Sequence, residues 1–417
     1  MLDDFVKSPT SALRFIALSL RRTMSTPRDT RLARLEFGTF YKVVCQLAFC
    51  TPILLKNLLR PLKNHRGVAL LVTLSVMTVL VAASLEYNRR ARFELVSSAA
   101  ARDQLTMTEM AKAGLQVAMA ILAKDKAEND TDTLMDDWAD PVKIEEVLRD
   151  FPFEDGRLSL AIRDETGKIQ VNALVNFPEG RQFNEPQRRL WERFLQYFVD
   201  RKELKLDLKD DSEPAAIINS LKDWLDSGDD DAITGLSGAE SSYYEDREPP
   251  YPARNGPVRD LDELLLVKGI TPELFYGRPE IPGISPYLTV HGATPGEGTG
   301  LAFPGRINLA TAELPVLFAL VPAENNDLVE TLDELRRDMV SGKQAVNMKN
   351  PNWFTQIPGL ADLKLDPKSI TASSDVFRVE STATLHDADV TITAVVQRVQ
   401  APKAGKWTCR ILSWQLG

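Results

Sequence analysis

Histidine and cysteine are scarce: the 417-residue chain holds three of each. Beyond the long apolar run only His291 and His386 remain, and neither has a second histidine or a cysteine at ligand spacing, so no catalytic zinc site is expected. The cysteines are Cys45, Cys50 and Cys409; if the chain is divided at its apolar run, the larger C-terminal part keeps one thiol and closes no internal disulfide. A part of that size buries enough core to fold without cross-links, and a metal ion is another available clamp. Catalytic motifs are missing too. GLSGA, from Gly235 to Ala239, ends in alanine where a nucleophile elbow has glycine, and SGKQ, from Ser341, is not a phosphate-binding loop. Nothing places two carboxylates across a cleft, so no enzyme is expected.

Proline is absent between Pro61 and Pro141, and charge is absent from Val68 to Leu85. That apolar run is nearly long enough to cross a bilayer, which takes about 20 helical residues. It continues into an alanine-rich stretch reaching Lys124, and the whole reads as one helix of roughly 85 Å at 1.5 Å per residue, only the first third of it in lipid. Leu105, Met107, Met110, Val117, Ile121 and Leu122 follow a loose helical spacing that gives the second half one face to pack on a domain. Residues 1–67 carry 12 Lys and Arg against 4 Asp and Glu, leaving 38 against 55 downstream. A basic start and an acidic remainder place the first part in the cytoplasm and the second outside. The local flanks do not orient the helix, because Arg89, Arg90 and Arg92 follow the run as Arg60, Lys63 and Arg66 precede it. Ala82-Ala83-Ser84 leaves a signal-peptide reading open.

The stretch RGVALLVTL, with basic residues, then Gly67, then an apolar helix at once, resembles the processing site of type IV prepilins and pseudopilins. The resemblance implies cleavage after Gly67 by a prepilin peptidase on the cytoplasmic side and methylation of the new N-terminus at Val68, so that the anchor stays on the mature protein. The family usually has Glu at the fifth mature position; here it is Val72. A subunit without that carboxylate is similar to the K-type minor pseudopilin of type II secretion, and Val72 marks a subunit able to cap one end of the filament. A basic leader of this length departs from the family's short leaders, and fits either a cytoplasmic extension or a misassigned start.

Downstream, RLSLAIRDETGKIQVNAL reads as a hairpin turning at Asp164 to Gly167, and VFRVESTATLHDADVTITAVVQRVQ as a second, turning at His386-Asp387. KWTCRILSWQ adds a last strand. The stretches EPQRRLWERFLQYFVD, EPAAIINSLKDWLD, DLDELLLV and NNDLVETLDELRRDMVSG between them have helical spacing. This insertion looks duplicated, GKIQVNAL matching GRINLATA and LLLVKGITPELF matching FTQIPGLADL, with Gly167, Gly269, Gly305 and Gly359 as its marks. Each copy resembles a helix-hairpin-helix, or SAM-like, unit. Nucleic acid is not an expected partner, because DLKDDSE and DSGDDD repel phosphate and no basic footprint accompanies them.

The expected fold is α+β: a pilin-like long N-terminal helix packed on a small antiparallel sheet, with a large helical insertion. Residues 1–67 form a basic cytoplasmic leader removed on processing, 68–125 the transmembrane and stalk helix, and 126–177 the first part of the sheet. Residues 178–290 form a first helical unit with an acidic loop, 291–365 a second, and 366–417 the last strands. In the loop, Asp226, Asp229, Asp230 and Asp231, with Glu240 further on, repel one another unless solvated or neutralised. Calcium suits clustered carboxylates wrapped by glycines such as Gly228 and Gly238, though the spacing is not that of an EF-hand. K-type pseudopilins carry W-x-D and G-A-E followed by Tyr, matched by Trp224, Asp226, Gly238, Ala239, Glu240, Tyr243 and Tyr244, and the resemblance implies calcium in this region. It departs at Gly228, where an acid is expected and Asp229 stands next to it. The resemblance also implies an inner-membrane, single-pass protein with its C-terminal domain in the periplasm, at the tip of the secretion pseudopilus. Its neighbours would be the I- and J-type minor pseudopilins, with no small-molecule substrate. A minor pilin of a type IV pilus and an anchored periplasmic binding protein are the alternatives.

Overall fold

The computed structural model describes residues 68–151, 153, 156–201, 213–228, 233–296, 298, 300–340, 351–357, 359–361, 363–401 and 405–417. The expected leader, with Gly67, lies outside the described residues. Two compact units divide the chain, Met1–Glu94 and Leu95–Gly417. Helix α1 runs Val68–Glu128, uninterrupted because it contains no proline and a single glycine, Gly114. Its apolar part, with mean hydropathy 2.0, is long enough to cross a membrane and is buried nowhere in the chain's own fold.

In the C-terminal unit, α1 lies on an antiparallel sheet of β1 (Gly156–Asp164), then, further along the chain, Val376–Leu385, Ala388–Gln400 and Trp407–Leu416, side by side in that order. Met107, Met110, Ala111, Leu115, Ala118 and Leu122 are the buried helix face, spaced by three or four residues as an α-helix requires. Leu105 stays exposed, while Val117 and Ile121 are half-buried. The expected stripe is thus shifted toward the small residues, which let the helix approach the sheet. At Gly114 the approach is closest: a Cβ there would run into the Ser381 hydroxyl and lie 3.0 Å from Leu158 Cδ1. A second helix, α2 (Pro141–Arg149), starts on the Asp140 carboxylate, which accepts from Val142 N at 2.9 Å. Trp138 meets Phe377 edge to face at 5.1 Å under the sheet.

The segment after β1 departs from the expected hairpin. Strand β2 (Ile169–Gln170) does not turn back onto β1; it pairs in parallel with β3 (Leu288–Thr289), and β1 pairs instead with Val376–Leu385. The first helical unit therefore opens at Ile169 rather than at 178. Between β2 and β3 lie α3 (Glu185–Val199), α4 (Pro214–Leu225), α5 (Ser241–Glu245) and α6 (Pro272–Tyr276). The second unit repeats the plan: β4 (Ile307–Asn308) pairs in parallel with β5 (Ile370–Thr371) around α7 (Leu314–Leu320) and α8 (Asp327–Val340). The matched Gly269 and Gly359 share a left-handed backbone, φ 89° and 91°, which only glycine adopts without strain. DLDELLLV forms a 3-10 helix, Leu261–Leu266, in place of the expected α-helix. One hydrophobic core runs through both units, with Trp191, Phe194, Phe198, Leu221, Leu317 and Phe354 among its members. The remaining strands, β6 (Val376–Leu385), β7 (Ala388–Gln400) and β8 (Trp407–Leu416), complete the sheet, with the β6–β7 turn at His386.

The insertion is fastened to the sheet by buried polar groups. Asn308 Nδ2 donates to Asp132 O at 2.9 Å and to Asp164 Oδ2 at 3.0 Å, and Thr311 and Ser374 hydroxyls donate to the same Asp164 oxygen at 2.6 Å. Beside it, Glu165 is paired with Lys168 and Arg378, both at 2.7 Å.

Candidate metal centre

Helix α4 is amphipathic, and its apolar side, Ile217, Ile218, Leu221, Trp224 and Leu225, is locked in the core. That anchoring fixes its last turn, where Asp223 and Asp226 are also buried. Glu240 comes from the N-terminal edge of α5 and is 1% exposed. One carboxylate oxygen from each of the three lies within 4.8 Å of the others. Aromatic packing holds the two helices together: Trp224 meets Tyr244 edge to face at 5.0 Å, and Tyr244 stacks on Tyr251 at 5.4 Å. The Tyr244 hydroxyl accepts from Lys268 N at 3.2 Å.

The loop between the helices is shaped around Asp223. Thr234 N donates to both of its carboxylate oxygens, at 3.1 and 3.0 Å. Gly238 lies against the same carboxylate, where a Cβ would strike Asp223 Oδ2 and crowd the Thr234 backbone at 2.8 and 2.9 Å. Gly228 N donates to Asp226 Oδ1 at 3.0 Å. Burial raises the Asp223 carboxyl above the usual carboxylate range, even though the Thr234 hydrogen bonds and Lys222 favour its charge. Lys222 contacts Asp226 at 2.5 Å and Asp223 at 3.8 Å. The three carboxylates are buried together, with the Lys222 ammonium against two of them, and a hard dication suits such a set of oxygens. Oxygens no more than 4.8 Å apart surround a point at most about 2.8 Å from each, a range that includes the ~2.3–2.6 Å of calcium–oxygen bonds. The donor set fits the ion.

Of the residues expected from sequence, the structure brings Asp226 and Glu240 together; Asp229, Asp230 and Asp231 lie outside the described residues. Asp223 was missed. Its signal is an acid on the buried side of an amphipathic helix, one turn before Asp226. Tyr244 is core, while Tyr243 is partly buried and carries Arg247 at 4.5 Å and Lys268 at 5.0 Å over its ring. Val68 opens α1, and Val72 lies on it, 55% exposed. A second acidic trio among the described residues, Asp125, Asp132 and Asp136, has a different character. Arg398, fully buried, donates to Asp125 at 2.9 Å and also to Asp132, and lies over the Phe377 ring at 4.3 Å. A fixed guanidinium there does what an ion would do.

The segment that holds the acidic trio, residues 167–290, matches the family model described as type II secretion system (T2SS), protein K. The type II secretion system protein K of Aeromonas hydrophila is 28% identical over 317 residues, 74% of this chain and 86% of that one. Over most of its length the chain is thus similar to type II secretion system protein K. Protein K of Pseudomonas aeruginosa is 25% identical over 343 residues, 81% of this chain and 90% of its own length. In fold, the chain resembles a chain of the GspK-GspI-GspJ complex from the enterotoxigenic Escherichia coli type 2 secretion system. The TM-score is 0.52 at 17% identity, over 77% of this chain and 99% of that one.

Proposed function

We propose that this chain is a type II secretion system protein K, a minor pseudopilin at the tip of the periplasmic pseudopilus, where it starts or caps the filament for protein export. The observation that carries the reading is a pilin-like helix on a sheet whose first two paired strands, β1 and β6, are separated by the two helical units. A body of that size suits a subunit that ends a filament better than one repeated along it. Val72 fits the same role, because an end subunit lacks one axial neighbour and a lone carboxylate in lipid is costly.

A prepilin peptidase cuts after Gly67, and Val68 becomes the methylated N-terminus in the inner membrane. The larger unit stands in the periplasm, beside minor pseudopilins I and J. Asp223, Asp226 and Glu240 would hold calcium, with Asp229, Asp230 and Asp231 as the further acids expected from the sequence. The ion would supply positive charge that removes the repulsion between buried carboxylates. The residues do the rest: α4 and α5 present the oxygens, and Gly238 and Thr234 fix the Asp223 carboxylate.

Mass spectrometry of protein recovered from cells tests the reading. The expected N-terminus is a methylated Val68; an intact basic leader, or a start elsewhere, would sink it. A Val72→Glu variant is expected to lose its end position, and full function at an unchanged position would remove the capping argument.

A further inference from the structure

Lys222 and Asp226 are one turn apart on α4, and the lysine ammonium reaches back over that turn to touch the carboxylate at 2.5 Å. The same ammonium is 3.8 Å from Asp223. Its side chain is 14% exposed, against 9% for Asp226 and none for Asp223, so the cation reaches a dry pocket from its rim. Those two carboxylates are also two of the three that converge within 4.8 Å. An ammonium and a dication thus compete for the same two carboxylates. The contrast with Arg398 is instructive: that guanidinium is fully buried and donates to two carboxylates and to the Leu122 carbonyl. Lysine instead holds its charge at the end of a flexible stem and can withdraw it to solvent.

We propose that Lys222 is a built-in competitor that sets the calcium affinity of this centre: its ammonium shields Asp223 and Asp226 and must leave them when the dication binds. The inference rests on the calcium reading. Its consequence is a pair of opposite effects from one substitution. Removing the charge frees two ligands and deepens the negative potential, so calcium binds more tightly. Without calcium, the same removal takes from Asp223 and Asp226 the ammonium that pairs with them, and the fold is weakened.

The test is calorimetric titration of calcium into the full processed chain in detergent, for wild type, Lys222→Met and Lys222→Arg, with melting curves in excess chelator and in excess calcium. Lys222→Met is expected to bind calcium about tenfold more tightly, a change of about 1.4 kcal/mol. It is expected to melt below wild type in chelator, and to show the larger calcium-induced rise. Lys222→Arg, which keeps the charge, stays near wild type in affinity. Equal or weaker binding by Lys222→Met would overturn the proposal while wild-type binding preserves the calcium reading. If only the variant bound calcium, competition would stand and the ion's place in the native protein would fall. Binding by neither would overturn both.

Discussion

The Asn308 side-chain amide donates to the Asp164 carboxylate at 3.0 Å, joining the second helical unit to the last residue of the first sheet strand across 144 positions of sequence. The same amide also donates to the Asp132 carbonyl and the Ser374 hydroxyl, and its oxygen accepts from Ala310 N at 3.1 Å. Asn308→Ala takes from the Asp132 carbonyl its Asn308 donor and from Ala310 N its side-chain acceptor, each costing about 1–3 kcal/mol when left unpaired, while Asp164 keeps the Thr311 and Ser374 hydroxyls. The expected loss is about 3 kcal/mol, read by denaturant unfolding of the detergent-solubilised protein. Protease nicking should appear first at the unit junctions. A loss below about 1 kcal/mol would mean that water replaces the amide.

Chelation should lower the melting temperature of the wild-type protein, since an ion that binds only the folded state stabilises it by mass action. Asp223→Asn and Glu240→Gln are each expected to remove most of the calcium-dependent rise, because each deletes a charge from the converging trio. Differential scanning fluorimetry across a calcium series checks this. A rise preserved in Asp223→Asn would show that the ion sits elsewhere in the loop.

What the sequence made legible follows from local rules. The long helix is readable because proline is absent and Gly114 is the only glycine in it. The strands β6 to β8 are readable because alternation and a turn at His386 are local signals. The duplication is readable from matched glycines, which the backbone requires at φ near 90°. Pairing at a distance is not readable in this way. Ile169–Gln170 continues the alternation of β1, yet its partner is Leu288–Thr289, and no nearby residue announces that. Asp223 fails for a similar reason: an acid among apolar neighbours becomes a candidate ligand only once α5 brings Glu240 beside it.

Gly114→Ala tests the closest contact between α1 and the sheet. Alanine favours helix by about 1 kcal/mol over glycine, so an unhindered site would be stabilised. Here its Cβ runs into the buried Ser381 hydroxyl, with Leu158 Cδ1 at 3.0 Å and Cδ2 at 3.2 Å. Overpacking of this kind costs about 1–3 kcal/mol. The single variant is expected to be destabilised, and adding Ser381→Ala should recover the loss because the colliding oxygen is gone. Simple stabilisation by Gly114→Ala would show that the helix can back away from the strand.

Acid should act through two buried carboxyls with opposite signs. Burial pushes Glu165 upward, but Lys168 and Arg378 outweigh it and hold its carboxyl at about 2, below its ordinary 4.5. Its stabilisation is complete above pH 4.5 and is lost as pH falls toward 2, up to roughly 3 kcal/mol. Asp132 runs the other way: burial, only partly offset by Arg398, raises it from 3.8 to about 6, so the folded form takes up a proton first. Between pH 6 and 3.8, acidification therefore stabilises through Asp132. The expected melting profile is level or gently rising from pH 7 to about 5, then falling below 4.5. Glu165→Gln should flatten the acid limb and Asp132→Asn the rise before it. An acid limb of unchanged slope in Glu165→Gln would assign the loss to other carboxylates and leave the Lys168–Glu165–Arg378 cluster without a measurable share.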